Sequence, residues 1–486
     1  MELYEFKLSE ISKKIKNKEV SIKDVLDSVY LRIENIDKIV GGYITLTQDS
    51  AYIKAKYLQE KLDNGEDIGI LGGVPIAIKD NICMDGVKTT CASKMLEDFV
   101  PIYNATVIEK LEEAGAIIIG KTNMDEFAMG SSTETSYIKK TTNPWDKNKV
   151  PGGSSGGSAA IVSADMAYAT LGSDTGGSIR QPAAYCSVVG LKPTYGLVSR
   201  YGLIAFASSL DQIGPLAKSV EDAAILLNVI AGPDKKDTTC AKIAKKDYTK
   251  ALQNDIKGIN IGVPLTFINS GIDEDISVSH TNAINKLKEL GANIYQINLD
   301  YAKYSLAVYY IIATAEASSN LGRYDGIKYG YRAKEYNDLD SLYVNTRTEG
   351  FGEEVKTRIM LGTYVLSSGY YDAYYKRAQS VRTLIIQDFK KAFEKCDAIC
   401  IPTVPHTAFG FGEKTQDPLQ MYLEDIFTVA VNIAGLPAIS VPGGFDRSNM
   451  PIGIQFISAA FNEETLLKIA YTFEQNTGFN NKKPNI

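Results

Sequence analysis

The sequence predicts an α/β protein built around a mixed β-sheet that is covered by helices. From residue 69 onwards, short apolar runs of strand length alternate with segments whose apolar residues recur at helical spacing. Such alternation favours a sheet with helices packed on both of its faces. The chain has 486 residues, of which 44% are hydrophobic and 23% charged, a composition typical of a soluble globular protein with a large core.

Residues 1 to about 63 are predicted to be helical and to lead into this core. Ser21 is placed to cap a helix in which Val25, Val29 and Ile33 share one face. The core pattern then starts with a strand at 74–78, a helix at 105–114 that ends at Gly115, and a strand at 116–119.

The rest of the chain continues the alternation, with one long helical interruption. The further predicted elements are a helix from 159 followed by a buried strand to 171, short strands within 188–200, a helix at 219–231, a strand at 257–264, a helix at 278–290, strands at 293–299, 398–404 and 438–441, and a helix at 463–475. Between 301 and about 396 the chain is predicted to be helical and is rich in tyrosine. We expect this segment, about 300–390, to lie over a cleft as an elaboration of the core.

Charge and composition exclude several classes of protein. A net charge of −6 argues against a broad basic surface for nucleic acid, so we expect any RNA contact to belong to a partner. No run reaches the roughly 18 apolar residues of a membrane span, and the first residues lack the features of a signal peptide, so we expect a cytoplasmic protein without membrane contact. The six cysteines form no C-x-x-C pair and are expected to be reduced and mostly buried.

Two glycine-rich turns that carry serines flank a segment apolar enough to be buried. The first reads Pro-Gly-Gly-Ser-Ser-Gly-Gly-Ser over 151–158, and the second reads Ser-Asp-Thr-Gly-Gly-Ser-Ile-Arg over 173–180. Glycine accepts unusual backbone angles and lets backbone N–H groups approach a ligand closely. Two such turns can face each other across one cleft.

Other interpretations of the first turn are weaker. A flexible linker would not run directly into an apolar segment. A phosphate-binding loop requires a lysine where Ser158 stands. A G-x-S-x-G elbow would make Ser155 a nucleophile and His280 or His406 its base, but the residues before it make a poor strand.

With only two histidines in the chain, a serine nucleophile here needs another kind of base. A lysine that is kept neutral by burial can serve. Lys79 is the candidate because it ends the apolar run at 74–78, although a lysine at a strand end can also be a solvated cap.

Lys79 and the two glycine-rich turns, in this order and spacing, resemble the amidase signature family. The stretch Lys-Thr-Asn-Met-Asp-Glu-Phe-Ala-Met-Gly at 121–130, together with the chain length, looks like the glutamine-hydrolysing subunits of tRNA-dependent amidotransferases in that family. The resemblance implies one α/β/α amidase-signature domain over residues 1–486.

The resemblance also implies the catalytic roles. It makes Ser178 the nucleophile, Ser154 the bridging serine after a cis peptide bond, and Lys79 the general base. The backbone N–H groups that would hold the oxyanion are those of Thr175, Gly176, Gly177 and Ser178. For glutamine, the family positions are Tyr309, with Arg358 for the α-carboxylate and Asp425 for the α-amine.

The same resemblance implies partners and a division of labour. Ammonia released from glutamine would pass to a B subunit, which activates the glutamate on tRNA with ATP and Mg²⁺, while a small C subunit completes a heterotrimer. No metal or nucleotide motif is found in this chain, so we expect no metal or cofactor in it. Asp125 and Glu126 are candidates for the ammonia path.

Three other functions stay open at this stage. The chain can be a stand-alone amidase that acts on small or fatty amides without partners. Ser136 and Lys139 fit the S-x-x-K motif of penicillin-binding enzymes, but the companion motifs are absent from the sequence. The third is a non-catalytic assembly subunit, against which the retained serines and lysine argue.

Overall fold

A single mixed sheet of eleven strands forms the centre of the structure over the residues that the computed structural model describes, 2–264, 271–415 and 417–486. The strands are β1 (Tyr43–Leu46), β2 (Pro75–Lys79), β3 (Ile117–Thr122), β4 (Ala169–Asp174), β5 (Val189–Lys192), β6 (Gln212–Ala217), β7 (Asn260–Val263), β8 (Asn293–Gln296), β9 (Ala398–Pro402), β10 (Ala438–Phe445) and β11 (Pro451–Ser458). Their order across the sheet is β1-β3-β2-β4-β6-β5-β10-β11-β9-β7-β8.

The sheet is parallel in two places and antiparallel elsewhere. Strand β2 lies between β3 and β4 and is parallel to both, and β7 is likewise parallel to β8 and β9. The remaining neighbours, including β4 with β6 and β10 with β11, are antiparallel. The predicted α/β class with a mixed sheet is therefore confirmed.

Helices connect these strands and pack against them. They are α1 (Leu8–Lys16), α2 (Ile22–Val40), α3 (Gln48–Asp63), α4 (Thr106–Glu113), α5 (Gly156–Ser163), α6 (Arg180–Cys186), α7 (Val220–Ile230), α8 (Glu274–Glu289), α9 (Ser305–Asn320), α10 (Leu339–Gly350), α11 (Glu353–Leu366), α12 (Arg377–Phe393), α13 (Pro418–Leu423), α14 (Val429–Ala434) and α15 (Glu463–Thr477). Among them, α5 packs on β4, α7 on β6, and α15 on β10 and β11. None of the helices in the described residues is both long and apolar enough to cross a membrane.

The N-terminal segment contains a strand that the sequence analysis missed. Helices α1, α2 and α3 form as predicted, and the Ser21 hydroxyl caps α2 by accepting a hydrogen bond from the Asp24 amide at 3.1 Å. Strand β1 follows α2 and pairs with β3 at the edge of the sheet. With four residues it is too short to give a clear alternating pattern.

Two further strands were also missed, and both are central. Strand β6 contains a glycine and Pro215, and β11 begins with a proline and also contains a glycine. These residues are depleted in strands, so the local signal is weak. Both strands are fully buried between neighbours, and tertiary pairing therefore outweighs the local propensity.

The segment predicted to be helical between 301 and 396 contains α9 to α12. Helix α9 packs against α11, α12 and α14, and these helices share an apolar core with strands such as β9, in which Ile312 and Val355 lie with Ile399. The division of the chain into a lead-in, a domain and an elaboration stays a prediction.

Candidate active site

Lys79 is the last residue of β2 and is completely buried beside β4. Its Nζ atom donates hydrogen bonds to Ser154 Oγ at 2.7 Å and to Ser173 Oγ at 3.0 Å. Burial lowers the pKa of Lys79 to about 7, although several buried carboxylates nearby act in the opposite direction. A lysine with this pKa is partly neutral near pH 7, and its role as general base stays a prediction.

Ser154 lies in the loop between β3 and α5, and the peptide bond before it is cis, as the resemblance implied. The loop is fixed at its backbone: the Gly153 amide donates to Gln181 Oε1 at 2.8 Å, and the Asp125 amide donates to the Ser154 carbonyl at 3.2 Å. Ser154 is completely buried with Lys79. Its hydroxyl therefore contacts Lys79 Nζ and is not accessible to solvent.

The second glycine-rich turn carries Ser178 and is joined to the first. The Ser155 amide donates to the Ser178 carbonyl at 3.1 Å, so the two turns are neighbours, as expected. Ser178 is 8% exposed, whereas Lys79 and Ser154 are not exposed at all. Of these three residues, Ser178 is the one that a substrate can reach.

Asp174 holds the shape of this second turn. Its carboxylate accepts from the amides of Gly177 at 2.9 Å and Ile179 at 3.1 Å, and from Arg180 Nε at 3.0 Å. Burial acts to raise the pKa of Asp174, but the adjacent Arg180 holds that pKa down at about 2. The carboxylate therefore stays charged and keeps the turn in place over a wide pH range.

The glycines of this turn are required by close contacts. A Cβ atom on Gly176 would lie 2.6 Å from the ring of Tyr309, and one on Gly177 would lie 2.3 Å from Thr428 Oγ1. Gly177 also has a φ of +141°, a conformation that other residues rarely adopt. The glycines let the backbone of the turn pass directly beneath the side chains of α9 and of residue 428.

Some residues of the predicted oxyanion site already make hydrogen bonds within the protein. The Gly177 amide already donates to Asp174, so it supports the turn in this structure. Thr175 is fixed by its hydroxyl, which donates to Asp211 at 2.7 Å. The oxyanion role of the amides of Thr175, Gly176, Gly177 and Ser178 stays a prediction.

Tyr309 and Arg358, two of the predicted glutamine-binding residues, reach this region from the helical segment. Tyr309 on α9 touches the turn at Gly176. Arg358 on α11 is 3% exposed, packs over the ring of Tyr310 at 5.3 Å, and donates through Nε to Glu354 at 2.7 Å. A buried guanidinium whose other nitrogens are not used by Glu354 is suited to a carboxylate ligand.

Asp425, the third predicted residue, approaches from the segment between α13 and α14. Its carboxylate accepts a hydrogen bond from the Ser131 hydroxyl at 2.8 Å. Burial raises the pKa of Asp425 to about 7, while Ser131 and Arg358 act to lower it. A cavity of about 250 Å³, lined in part by Ser131, Glu354 and Tyr422, lies beside this group.

Asp125 and Glu126 are both buried and hydrogen-bonded within the protein. Asp125 accepts from the Thr135 hydroxyl at 2.9 Å, and Glu126 accepts from the Gly352 amide at 2.9 Å and from the Ser93 hydroxyl. Burial raises the pKa of both carboxyls, that of Glu126 to about 7. Their proposed place on an ammonia path stays a prediction.

The alternative nucleophile Ser155 has no histidine partner. Its hydroxyl donates to the Ser173 carbonyl at 3.1 Å. His280 lies 3.2 Å from the Cys400 carbonyl, and His406 lies 2.9 Å from Glu424. Both histidines therefore have structural contacts elsewhere. All six cysteines are unpaired and buried, as predicted.

Several residues of the site carried no signal in the sequence. The side chains of Asn432 and Gln455 accept from Arg180, and Asn81 donates to Ser173. Asn432 and Gln455 follow Arg180 by more than 250 positions, so only the folded sheet brings them together. Within the described residues, no group of three or more His, Cys, Asp or Glu side chains is arranged to hold a metal ion.

Known proteins resemble this chain over its whole length. The family model described as Amidase matches residues 24–467. The A subunit of glutamyl-tRNA(Gln) amidotransferase from Carboxydothermus hydrogenoformans is 58% identical over 486 residues, which cover 100% of both chains. The protein of the same name from Thermoanaerobacter pseudethanolicus is 58% identical over 482 residues, covering 99% of this chain and 98% of that one.

A solved structure shares both sequence and fold. The crystal structure of the A subunit of glutamyl-tRNA(Gln) amidotransferase from Thermotoga maritima is 42% identical, with a TM-score of 0.79, and the match covers 98% of this chain and 96% of that chain. With a family model that matches most of the sequence, full-length relatives above 50% identity and a shared fold, this chain belongs to the amidase family.

Proposed function

We propose that the chain is the glutamine-hydrolysing subunit of a tRNA-dependent amidotransferase. The observation that carries this proposal is the fully buried Lys79, whose Nζ lies 2.7 Å from Ser154 Oγ and whose pKa is lowered to about 7. Full-length relatives that are named as the A subunit of glutamyl-tRNA(Gln) amidotransferase support the choice of substrate and complex.

The proposed reaction starts with a proton relay. Neutral Lys79 takes the proton of the Ser154 hydroxyl, and Ser154 takes the proton of Ser178 as the Ser178 oxygen attacks the side-chain amide carbon of glutamine. The C–N bond then breaks and nitrogen leaves as ammonia, reclaiming a proton through the same relay. Water attacks the resulting glutamyl ester on Ser178 and releases glutamate.

The tetrahedral intermediate requires donors at the second glycine-rich turn. Amides of residues 175–178 are the candidates, and one such donor contributes on the order of 3 kcal/mol to the transition state. Asp174 contributes indirectly because it is held at a low pKa by Arg180 and keeps the turn in one shape. The donors are then in position before the charge develops.

Glutamine is proposed to be selected by its α-carbon groups. Arg358 would bind the α-carboxylate, Asp425 the α-amine, and Tyr309 would pack beside them against Gly176. The pKa of about 7 for Asp425 would fall when it pairs with the substrate ammonium, so substrate binding would stabilise its charged form.

The remaining steps are assigned to partners. In the proposed heterotrimer, a B subunit uses the ammonia to convert Glu-tRNA(Gln) to Gln-tRNA(Gln) with ATP and Mg²⁺, and a C subunit completes the assembly. tRNA would be contacted mainly by the B subunit, which agrees with the net charge of −6 on this chain. We also propose a cytoplasmic location.

The experiment compares two neighbouring serines in the co-expressed complex. Ser178→Ala is expected to abolish glutamine hydrolysis with the fold intact. Ser155→Ala, which removes a hydroxyl that within the described residues bonds to Ser173, is expected to retain it. Mass spectrometry of the stalled enzyme should find the glutamyl adduct on Ser178. An adduct on Ser154 or Ser155, or hydrolysis without any co-purifying subunit, would contradict the proposal.

A further inference from the structure

In the part of the chain that the structure describes, Lys79 Nζ lies within hydrogen-bond distance of three oxygen atoms, which belong to two residues. One is Ser154 Oγ at 2.7 Å, and the other two are Ser173 Oγ at 3.0 Å and the Ser173 carbonyl oxygen at 3.4 Å. A neutral amine has two N–H bonds and one lone pair, whereas an ammonium group has three N–H bonds. The neutral amine can donate both N–H bonds to the Ser173 oxygens and face Ser154 with its lone pair, and protonation adds a third N–H bond toward Ser154 and strengthens the two bonds to Ser173.

Ser173 is held in this position by a residue that follows Lys79 on the same chain segment. Asn81 is 2% exposed, and its Nδ2 donates to Ser173 Oγ at 2.9 Å. Its Oδ1 finds no hydrogen-bond partner in the part of the chain that the structure describes. A buried oxygen without a partner costs free energy, and the hydrogen bond that this amide makes to Ser173 is through its donor side.

We propose that Ser173, held by Asn81, is a positioning residue whose oxygens accept hydrogen bonds from Lys79 and stabilise the ammonium form that Lys79 adopts during the reaction. The inference rests on the proposed function, because it concerns the step in which Lys79 takes the proton from Ser154. In that step a positive charge forms in a site closed to water. The Ser173 oxygens accept the two N–H bonds that do not point at Ser154.

The charged groups around Lys79 act on it through their fields and make their hydrogen bonds to other residues. The groups whose fields act on Lys79 are Asp125, Asp174, Asp211 and the Cys91 thiol. Asp174 is paired with Arg180 at 3.0 Å. Asp125 and Asp211 accept hydrogen bonds from Thr135 and Thr175. Each carboxylate thus has its own partners, and among the described residues it is the oxygens of Ser154 and Ser173 that hydrogen-bond to the lysine.

The test is the pH dependence of glutamine hydrolysis by the intact complex, measured as kcat for each variant. Ser173→Ala removes an acceptor of the ammonium form, so the pKa of Lys79 should fall. The rising limb of the plot of kcat against pH is therefore expected to move about one pH unit downwards, and kcat on its plateau to fall about tenfold. Ser173→Thr retains the hydroxyl and should restore both values. Asn81→Ala removes the donor that holds Ser173, so its limb should also move downwards.

Ser155→Ala is the matched control, because this buried serine also bonds to Ser173 but not to Lys79. Its limb is expected at the wild-type pH. A wild-type limb in Ser173→Ala or in Asn81→Ala, or an equal shift in Ser155→Ala, would overturn the inference while leaving glutamine hydrolysis established. A wild-type complex that fails to hydrolyse glutamine would instead refute the proposed function.

Discussion

Replacing Lys79 by methionine should make the protein more stable near neutral pH while removing its activity. The folded-state pKa of Lys79 is about 7, compared with an ordinary value of 10.5 for the unfolded chain. Between these values the unfolded state binds more protons than the folded state, so the stability of the wild type rises with pH. Methionine does not titrate, so its contribution to the free energy of unfolding does not change with pH.

The magnitude follows from the two pKa values. Each pKa unit corresponds to about 1.36 kcal/mol, so between about pH 7 and pH 9 the wild type should gain about 2 kcal/mol relative to Lys79→Met. The difference between two pH values is the useful quantity, because the hydrogen bonds that Lys79 makes to Ser154 and Ser173 are lost at both. Urea unfolding at the two pH values measures it.

The control is Lys56→Met, which removes an exposed lysine from α3. Its stability relative to the wild type should change little between the same two pH values. If the difference in free energy of unfolding between the wild type and Lys79→Met were also the same at both pH values, Lys79 would titrate as in the unfolded chain. A neutral base in this site would then be ruled out.

Three further results are expected. Arg358→Ala should raise the KM for glutamine about 10- to 100-fold, because a charged hydrogen bond is lost, but should change hydrolysis of a simple unsubstituted amide far less; equal losses would indicate a structural role. Gly176→Ala should lower kcat/KM at least about tenfold, since the new Cβ would lie 2.6 Å from the Tyr309 ring, and a wild-type rate would show that the turn can move. The KM for glutamine should rise as the pH falls below about 7, where Asp425 becomes protonated, and Asp425→Asn should remove that dependence.

The two serine-bearing turns and Lys79 could be singled out from the sequence because each lies in a short stretch whose residue types have a local chemical meaning, whereas the roles of Ser154 and Ser178 came from the family resemblance. Glycine-rich turns and a lysine at the end of an apolar run are visible without knowledge of the fold. Tyr309, Arg358 and Asp425 carried no such local signal and came only from the family resemblance. In the structure, Tyr309 lies against Gly176, and Asp425 and Arg358 are close enough for the arginine to influence the pKa of the carboxyl.

The parts that were missed depend on distant pairing. Strand β6 has a glycine and a proline, and it forms because β4 and β5 bond to its two edges. Arg180 is held by hydrogen bonds to Asn432 and Gln455. Both residues are so far along the sequence that no local sequence pattern links them to the turn. The same holds for Asn81 and Ser173, whose contact exists only because β2 and β4 are parallel neighbours.

The rate of glutamine hydrolysis by Lys79→Arg in the intact complex tests the central claim most directly. Arginine retains the positive charge and similar bulk, but in a protein it does not give up its proton. If neutral Lys79 is the base, kcat should fall by at least about a hundredfold, in line with the loss of general-base catalysis, while the KM for glutamine changes little. A kcat close to the wild-type value would show that residue 79 acts only as a positive charge, and the proton relay through Ser154 would then be wrong.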